Sequence, residues 1–298
     1  MESKYTQMRD ILLKNVSGVG NYQSPLHNIR IVKRDAPTEF LRCLYYSTCI
    51  LVLQGEKNIY YGSNKLVYGK GQYVISCTDI PVLSRITEAS YDNPLVILML
   101  EFDSYLISHI ALESNIQTSP DINHQCLAVA NIDEDLLDAF YRLIQLMERP
   151  EAEKEIVYPL IIKEIYYRLL VGPLGYQLYL VNKQGTRYSQ IVQAISLLKE
   201  RYREKLHIEE IADYVNMSLS SFYRVFKQVT RVSPLQYQKQ LRLYEAQRLL
   251  LTGEYSIESA SYAVGYESPT QFSREYKKMF GFPPRTHINS IADVSCVL

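Results

Sequence analysis

The chain lacks net charge, a membrane-length apolar run and any paired-cysteine signature, and each absence excludes something. Its 298 residues carry 32 Lys and Arg against 32 Asp and Glu, so overall charge does not mark it for a polyanionic partner. No apolar stretch approaches the ~20 residues of a membrane-spanning helix, so no membrane is expected among its partners. The opening stretch MESKYTQMRDILLKN carries acids and no continuous apolar region, and does not read as a signal peptide. Five scattered cysteines, Cys43, Cys49, Cys77, Cys126 and Cys296, form no CxxC pair and no even-numbered framework. That usage fits a reducing compartment and a cytoplasmic location. Histidine is as sparse. His27, His109, His124, His207 and His287 include no HxH pair, and none lies between residues 28 and 108. A metal enzyme built on His and carboxylate ligands is therefore disfavoured, and neither a metal nor a cofactor is expected.

The zero balance conceals an asymmetry. Residues 187–298 hold 15 basic and 11 acidic side chains, which leaves 17 and 21 for residues 1–186. The two parts come out near −4 and +4, and a modestly basic C-terminal part is compatible with a polyanion without requiring one. The length suggests roughly two domains of about 100–200 residues each, and 47% hydrophobic content lets each bury a core.

From about residue 25 to 102 short runs of Val, Ile, Leu and Tyr alternate with Gly55, Gly62-Ser63-Asn64 and Gly69-Lys70-Gly71. Glycine supplies the positive φ of tight turns, so this spacing predicts successive hairpins closing a sandwich or small barrel, with a jelly roll as the natural candidate. Some of the 26 tyrosines could line a pocket, but most fit strand surfaces and core. Helical periodicity follows. DEDLLDAFYRLIQLME places Leu136, Leu137, Phe140, Leu143, Ile144 and Met147 on one stripe. EIVYPLIIKEIYYRLLVG predicts a second helix through Ile156, Leu160, Ile161, Glu164, Ile165 and Leu169, with Pro159 delaying or kinking its start. Both are more apolar than one face needs, which suits either a cover for the barrel or a dimerising pair. Gly172 to Arg187, with three glycines and a proline, reads as a linker, and Ser189 as the N-cap of the next helix.

The last hundred residues contain a repeat. Phe222, Arg224, Phe226, Lys227 and Pro234 return as Phe272, Arg274, Tyr276, Lys277 and Pro284, and HIEEIADYVNMSLSSF returns as SIESASYAVGYESPTQF. Each copy has a short helix (Ile208, Ile211, Ala212, Val215; Ile257, Ala260, Ser261, Val264), a turn with Asn216 or Gly265, and a second helix capped by Ser218 or Ser268. Helix, tight turn and helix with one polar face make a helix-turn-helix unit. Ser220, Ser221 and Arg224, then Thr270, Gln271 and Arg274, are the candidate base contacts, because Arg pairs with guanine, Gln with adenine, and small residues let the helix approach. Ser218, Lys227, Ser268, Lys277 and Lys278 are the candidate phosphate contacts. Between the copies, SPLQYQKQLRLYEAQRLLLTG has Leu235, Leu241, Leu243, Ala246, Leu249 and Leu250 and no internal breaker. It predicts a single helix that fixes the two units relative to each other, so that one chain reads two successive major grooves.

At this point residues 188–288, through SPLQYQKQLRLYEAQRLL and AVGYESPTQFSREYKKMFGFPP, resemble the DNA-binding domain of AraC/XylS-type transcription regulators. Residues 23–105 resemble the N-terminal domain of one AraC subgroup through IVKRDAPTE, LVLQGEKNIYYG, GQYVISCTDIPVLSRITEAS and NPLVILMLEFD. The resemblance implies an α+β two-domain chain, with a cupin-like β-barrel and flanking dimerising helices ahead of an all-α double helix-turn-helix domain. The resulting division is an N-terminal helical segment (1–22), a sensor and dimerisation domain (23–171), a linker (172–187), the DNA-binding domain (188–288) and a tail (289–298). Implied partners are double-stranded promoter DNA, RNA polymerase, a small-molecule effector and a second copy of the chain, and the chain is expected to be an activator and not an enzyme. A regulator whose barrel only oligomerises stands beside the effector reading, and a cupin-type enzyme is the remote alternative. Cys77 raises a redox-sensor reading against that of a small apolar filler. Arg231 stands where the second copy has Gly281, so the first recognition helix is expected to end on a different cap.

Overall fold

In the computed structural model the described residues are 2–114 and 125–291. His124, Cys296 and the tail from residue 292 onwards lie outside them. By contact the chain divides into two units, one of Met1–Glu39, Tyr46–Thr78 and Ser84–Lys183, the other of Phe40–Tyr45, Asp79–Leu83 and Gln184–Leu298. Each is described by itself.

The N-terminal part opens with helix α1 (Glu2–Lys14), whose Met8 and Leu12 are fully buried. Ten strands follow: β1 (Gly20–Gln23), β2 (Ile29–Arg34), β3 (Leu41–Tyr45), β4 (Thr48–Gln54), β5 (Glu56–Tyr61), β6 (Asn64–Gly69), β7 (Gln72–Ser76), β8 (Ile80–Glu88), β9 (Leu95–Glu101) and, after helix α2 (Ser104–Glu113), β10 (Leu127–Asn131). They form a sandwich of a six-stranded sheet, β1-β2-β9-β4-β7-β10, and a four-stranded sheet, β3-β8-β5-β6. The barrel expected from the sequence is thus an antiparallel sandwich of two sheets. Strands β4 and β9, in the middle of the larger sheet, are apolar almost throughout and buried along their length. β8 buries only every second residue, among them Ile80, Val82 and Ile86, as a strand with one covered face must. Tyr61, Tyr68 and Tyr73 are fully buried and pack the core.

Helix α3 (Glu134–Gln145) is capped by Asp133, whose side chain accepts from the Leu136 N–H at 2.8 Å. It buries Leu136, Leu137, Phe140, Leu143 and Ile144 of the expected stripe, while Met147 is buried in the 3-10 turn that follows. Helix α4 (Glu151–Val171) starts earlier than Pro159 suggested: the proline sits inside the helix on an exposed side, where water can serve the carbonyl it frees. Its buried face is Ile161, Ile162, Ile165, Tyr166, Leu169 and Leu170. Ile156 and Leu160, on the apolar periodicity read from the sequence, are 69% and 65% exposed, and Tyr167 and Val171 are exposed too. These four lie at i, i+4, i+11 and i+15, one narrow apolar stripe on the outside. The expected linker contains a further helix, α5 (Gly175–Asn182), because its glycines flank a helix-forming YQLYLV core. Cys49, Cys77 and Cys126 are free and buried.

The C-terminal part is helical: α6 (Arg187–Glu200), α7 (Ile208–Tyr214), α8 (Leu219–Thr230), α9 (Pro234–Leu251), α10 (Ile257–Ala263), α11 (Pro269–Phe280) and α12 (Pro284–Ile291). Thr186, not Ser189, caps α6: the Ser189 N–H donates to the Thr186 hydroxyl at 3.0 Å. The α9 helix buries Leu241, Leu243, Ala246, Leu249 and Leu250 as expected, together with Tyr237 and Tyr244, but Leu235 in its first turn is half exposed.

Candidate nucleic-acid interface

The two halves of this helical part repeat at the level of single hydrogen bonds. In the first, Asn216 takes φ 53° and the next amide, Met217 N–H, donates to Ala212 O at 2.9 Å. In the second, Gly265 takes φ 87° and Tyr266 N–H donates to Ser261 O at 3.0 Å. Both are left-handed helix stops that satisfy an otherwise orphaned carbonyl and turn the chain into the next helix. The recognition helices end alike as well. Arg231 at φ 65° donates its N–H to Lys227 O, and Gly281 at φ 87° donates to Lys277 O. The different cap expected for the first copy is not formed: a left-handed arginine takes the glycine's place.

Each recognition helix is held by aromatic packing on one side. Phe222 and Phe226 are fully buried, with ring centroids 5.4 Å apart, and Phe226 meets Tyr237 edge-on at 5.5 Å. Phe272 and Tyr276 repeat this at 5.5 Å, and Tyr276 meets His287 at 5.7 Å. Val229 is buried and Met279 half-buried in the matching third position. Locked from behind, each helix turns its polar side outward. On α8 Ser220, Arg224 and Lys227 are exposed and Ser221 half-buried; on α11 Thr270, Gln271, Arg274, Lys277 and Lys278 are exposed. Ser218 is exposed at the N-cap of α8 with no cap bond, whereas the half-buried Ser268 accepts from the Gln271 N–H. The fold therefore puts all eleven candidate residues on, or at the start of, two equivalent helices.

A family model described as the AraC-type transcriptional regulator N-terminus matches residues 25–177, just over half of the 298 residues. The chain belongs to the AraC-type regulator family. A helix-turn-helix domain model matches residues 211–290. Among curated relatives of this AraC-type chain, the HTH-type transcriptional regulator ArgR of Pseudomonas aeruginosa is 32% identical over 122 residues, covering 41% of this chain and 37% of the relative. The match to GbdR of the same organism covers 28% of that protein, so the chain spans about a third of the length of these two relatives. The lactose operon transcription activator of Staphylococcus xylosus is 24% identical over 74% of this chain and 77% of the relative. ToxT of Vibrio cholerae, solved with a bound unsaturated fatty acid, shares the fold with a TM-score of 0.60 at 13% identity, over 91% of this chain and 97% of that one.

The AraC-type helical domain also contains functional geometry that residue spacing does not reveal. Glu275, on α11 one turn after Gln271, accepts from Lys239 Nζ at 2.8 Å, from the Tyr266 hydroxyl at 2.8 Å and from Gln271 Nε2 at 3.4 Å. Burial pushes its carboxyl up, and these donors more than offset it, leaving the group below the ordinary carboxylate value. An ionised carboxylate only accepts, so it fixes Gln271 with Nε2 turned towards it. Arg224, Arg274, Lys277 and Lys278, by contrast, make no hydrogen bond or ion pair among the described residues, which leaves their donors available to a ligand. Cys77 is buried, and burial pushes its thiol well up, which disfavours the thiolate that a redox sensor needs. Among the described residues no group of three or more His, Cys, Asp or Glu is placed to hold a metal, and no helix is long and apolar enough to cross a membrane.

Proposed function

We propose that the chain is a sequence-specific DNA-binding transcription regulator whose helices α8 and α11 enter successive major grooves of promoter DNA. The observation that carries this reading is the pair of equivalent helices, each buried by aromatics behind and exposing Arg, Ser, Thr, Gln and Lys in front. Ser220, Ser221, Arg224, Thr270, Gln271 and Arg274 read base edges, and Ser218, Lys227, Ser268, Lys277 and Lys278 hold phosphates. The functional boundaries are a sensor and dimerisation domain at 23–171 and the DNA reader at 188–288. Two copies pair through the α4 stripe of Ile156, Leu160, Tyr167 and Val171, whose exposure at 45–69% is otherwise unexplained. The regulator acts in the cytoplasm, recruits RNA polymerase as an activator and catalyses no reaction. A small-molecule effector at the sandwich domain controls it, a reading supported by the fatty acid in the ToxT structure.

Selection of duplexes from a random library by the full chain tests this. The reading expects two conserved blocks about 10–10.5 bp apart; enriched duplexes with one block, or none, would defeat it. Lys277→Ala is expected to weaken binding to selected and random duplex alike and to lower the salt slope by about one, as titrations at several salt concentrations would read.

A further inference from the structure

Helix α9, 18 residues long, joins the two helix-turn-helix units, but a rod between two bodies does not by itself fix their rotation about its axis. The structure contains a second connection. Arg242, midway along α9, sends its guanidinium across to two different segments. Nε donates to Tyr202 O at 2.6 Å, and Nη2 donates to Glu204 O at 2.8 Å and Arg203 O at 3.2 Å. All three carbonyls lie in the loop between α6 and α7, on the side of the first unit. Nη1 donates to Gly265 O at 2.8 Å, in the turn of the second unit. The guanidinium also lies over the Tyr266 ring, 5.9 Å from its centroid. Gln238, one turn earlier on α9, adds bonds from Nε2 to Tyr202 O at 3.0 Å and Glu204 O at 2.8 Å.

The two segments are also in direct contact. A Cβ on Gly265 would lie 2.3 Å from the Arg203 carbonyl oxygen, so the second unit's turn rests on the first unit's loop with no room for a side chain. Four loop carbonyls, two of them shared with Gln238, converge on one planar cation, which suits arginine because its donors point in several fixed directions at once. Burial lowers the Arg242 pKa, partly offset by Tyr266 and the Glu275 and Glu267 carboxylates, and the guanidinium stays protonated.

We infer that Arg242 is a positioning residue for DNA recognition: its clasp sets the rotation of the second helix-turn-helix unit relative to the first, and with it the spacing of the two base-reading blocks that the protein accepts. The inference rests on the two-groove reading above. It assigns spacing specificity to a residue that touches no DNA. Without the clasp each unit still folds and still presents its recognition helix, but the pair no longer rejects a duplex whose second block is turned by one base pair, about 34–36°.

The test uses the full chain, the duplex enriched by wild-type selection, and the same duplex with one or two base pairs inserted between its blocks. Wild type is expected to lose about 10-fold or more in affinity per inserted base pair, comparable to a mismatch. Arg242→Met, which keeps the length and loses the donors, is expected to bind the enriched duplex less tightly and to lose less than about threefold on insertion. Arg242→Lys keeps charge and stem without the fork, falls between the two, and serves if Arg242→Met does not fold. If the variants keep the wild-type ratio between native and inserted duplexes, the clasp has no role in spacing and the inference is overturned. If wild type itself ignores the insertion, the two-groove reading fails first.

Discussion

The first and second helix-turn-helix units have one backbone and different residues at the positions that shape it. Where the second unit has Gly265, Gly281, Tyr276 and His287, the first has Asn216, Arg231, Phe226 and Tyr237. The two left-handed stops survive the change, at φ 53° and 65° against 87° and 87°. An asparagine tolerates that conformation because its short side chain can bond locally, whereas an arginine there stores roughly 1–2 kcal/mol. The aromatic partner behind each recognition helix also survives, as a tyrosine in one unit and a histidine in the other, at ring distances of 5.5 and 5.7 Å. Shape is therefore kept while chemistry drifts, and the units differ in how much of their geometry is strained and how much titrates.

Substitutions should break this equivalence by amounts the contacts predict. The largest effect belongs to Gly265→Ala. Its new Cβ would meet the Arg203 backbone at 2.3 Å as well as an unfavourable φ, so a loss of about 3 kcal/mol is expected. Asn216→Ala, with only the left-handed penalty, should cost about 1 kcal/mol, and so should Gly281→Ala, where nothing lies within 4 Å of the added atom. Urea unfolding of the three variants compares them directly; equal losses would mean the turn-to-loop contact is not tight. Next in size, Arg231→Gly should stabilise the first unit by about 1 kcal/mol by relieving its left-handed strain, seen as a higher midpoint in the same assay.

The smallest effect concerns pH. Burial pushes His287 below the ordinary histidine value, and the Tyr276 hydroxyl lies 3.1 Å from its Nδ1. Its folded pKa is depressed, so the unfolded chain binds the extra proton first. The stabilisation is complete above the unfolded value of about 6.5 and is lost as pH falls through the folded one. The matching residue in the first unit, Tyr237, has no imidazole to protonate. Melting between pH 7.5 and 5.5 should therefore show an acid loss in wild type that is reduced in His287→Gln; parallel curves would remove His287 from the account.

Much of this was legible in the residues, because the decisive signals are local. The repeat is carried by Phe, Arg, Lys and Pro at fixed spacing, and the hairpins by Gly55, Gly62 and Gly71, each of which takes a positive φ. What stayed hidden depends on contacts between distant segments. Arg242 and Gln238 carried no signal in the sequence, yet they bond to carbonyls more than 30 residues away. Glu275 likewise carried no signal there. Ile156, Leu160 and Leu235 fit the helical period of a core stripe and face outward nonetheless, because periodicity identifies a face without saying what covers it. The left-handed Arg231 was not foreseen because residue preference argues against it and only the equivalence of the units reveals it.

The central claim is that α8 and α11 each read bases, one turn of duplex apart. The most direct measurement is the affinity of Arg224→Ala and Arg274→Ala for single-base variants of the enriched duplex, with random duplex as reference. The account predicts a loss of about 1–3 kcal/mol for each, with discrimination relaxed at one base position per variant and the two positions separated by about one helical turn. Unchanged ratios of specific to random binding in both variants would contradict it.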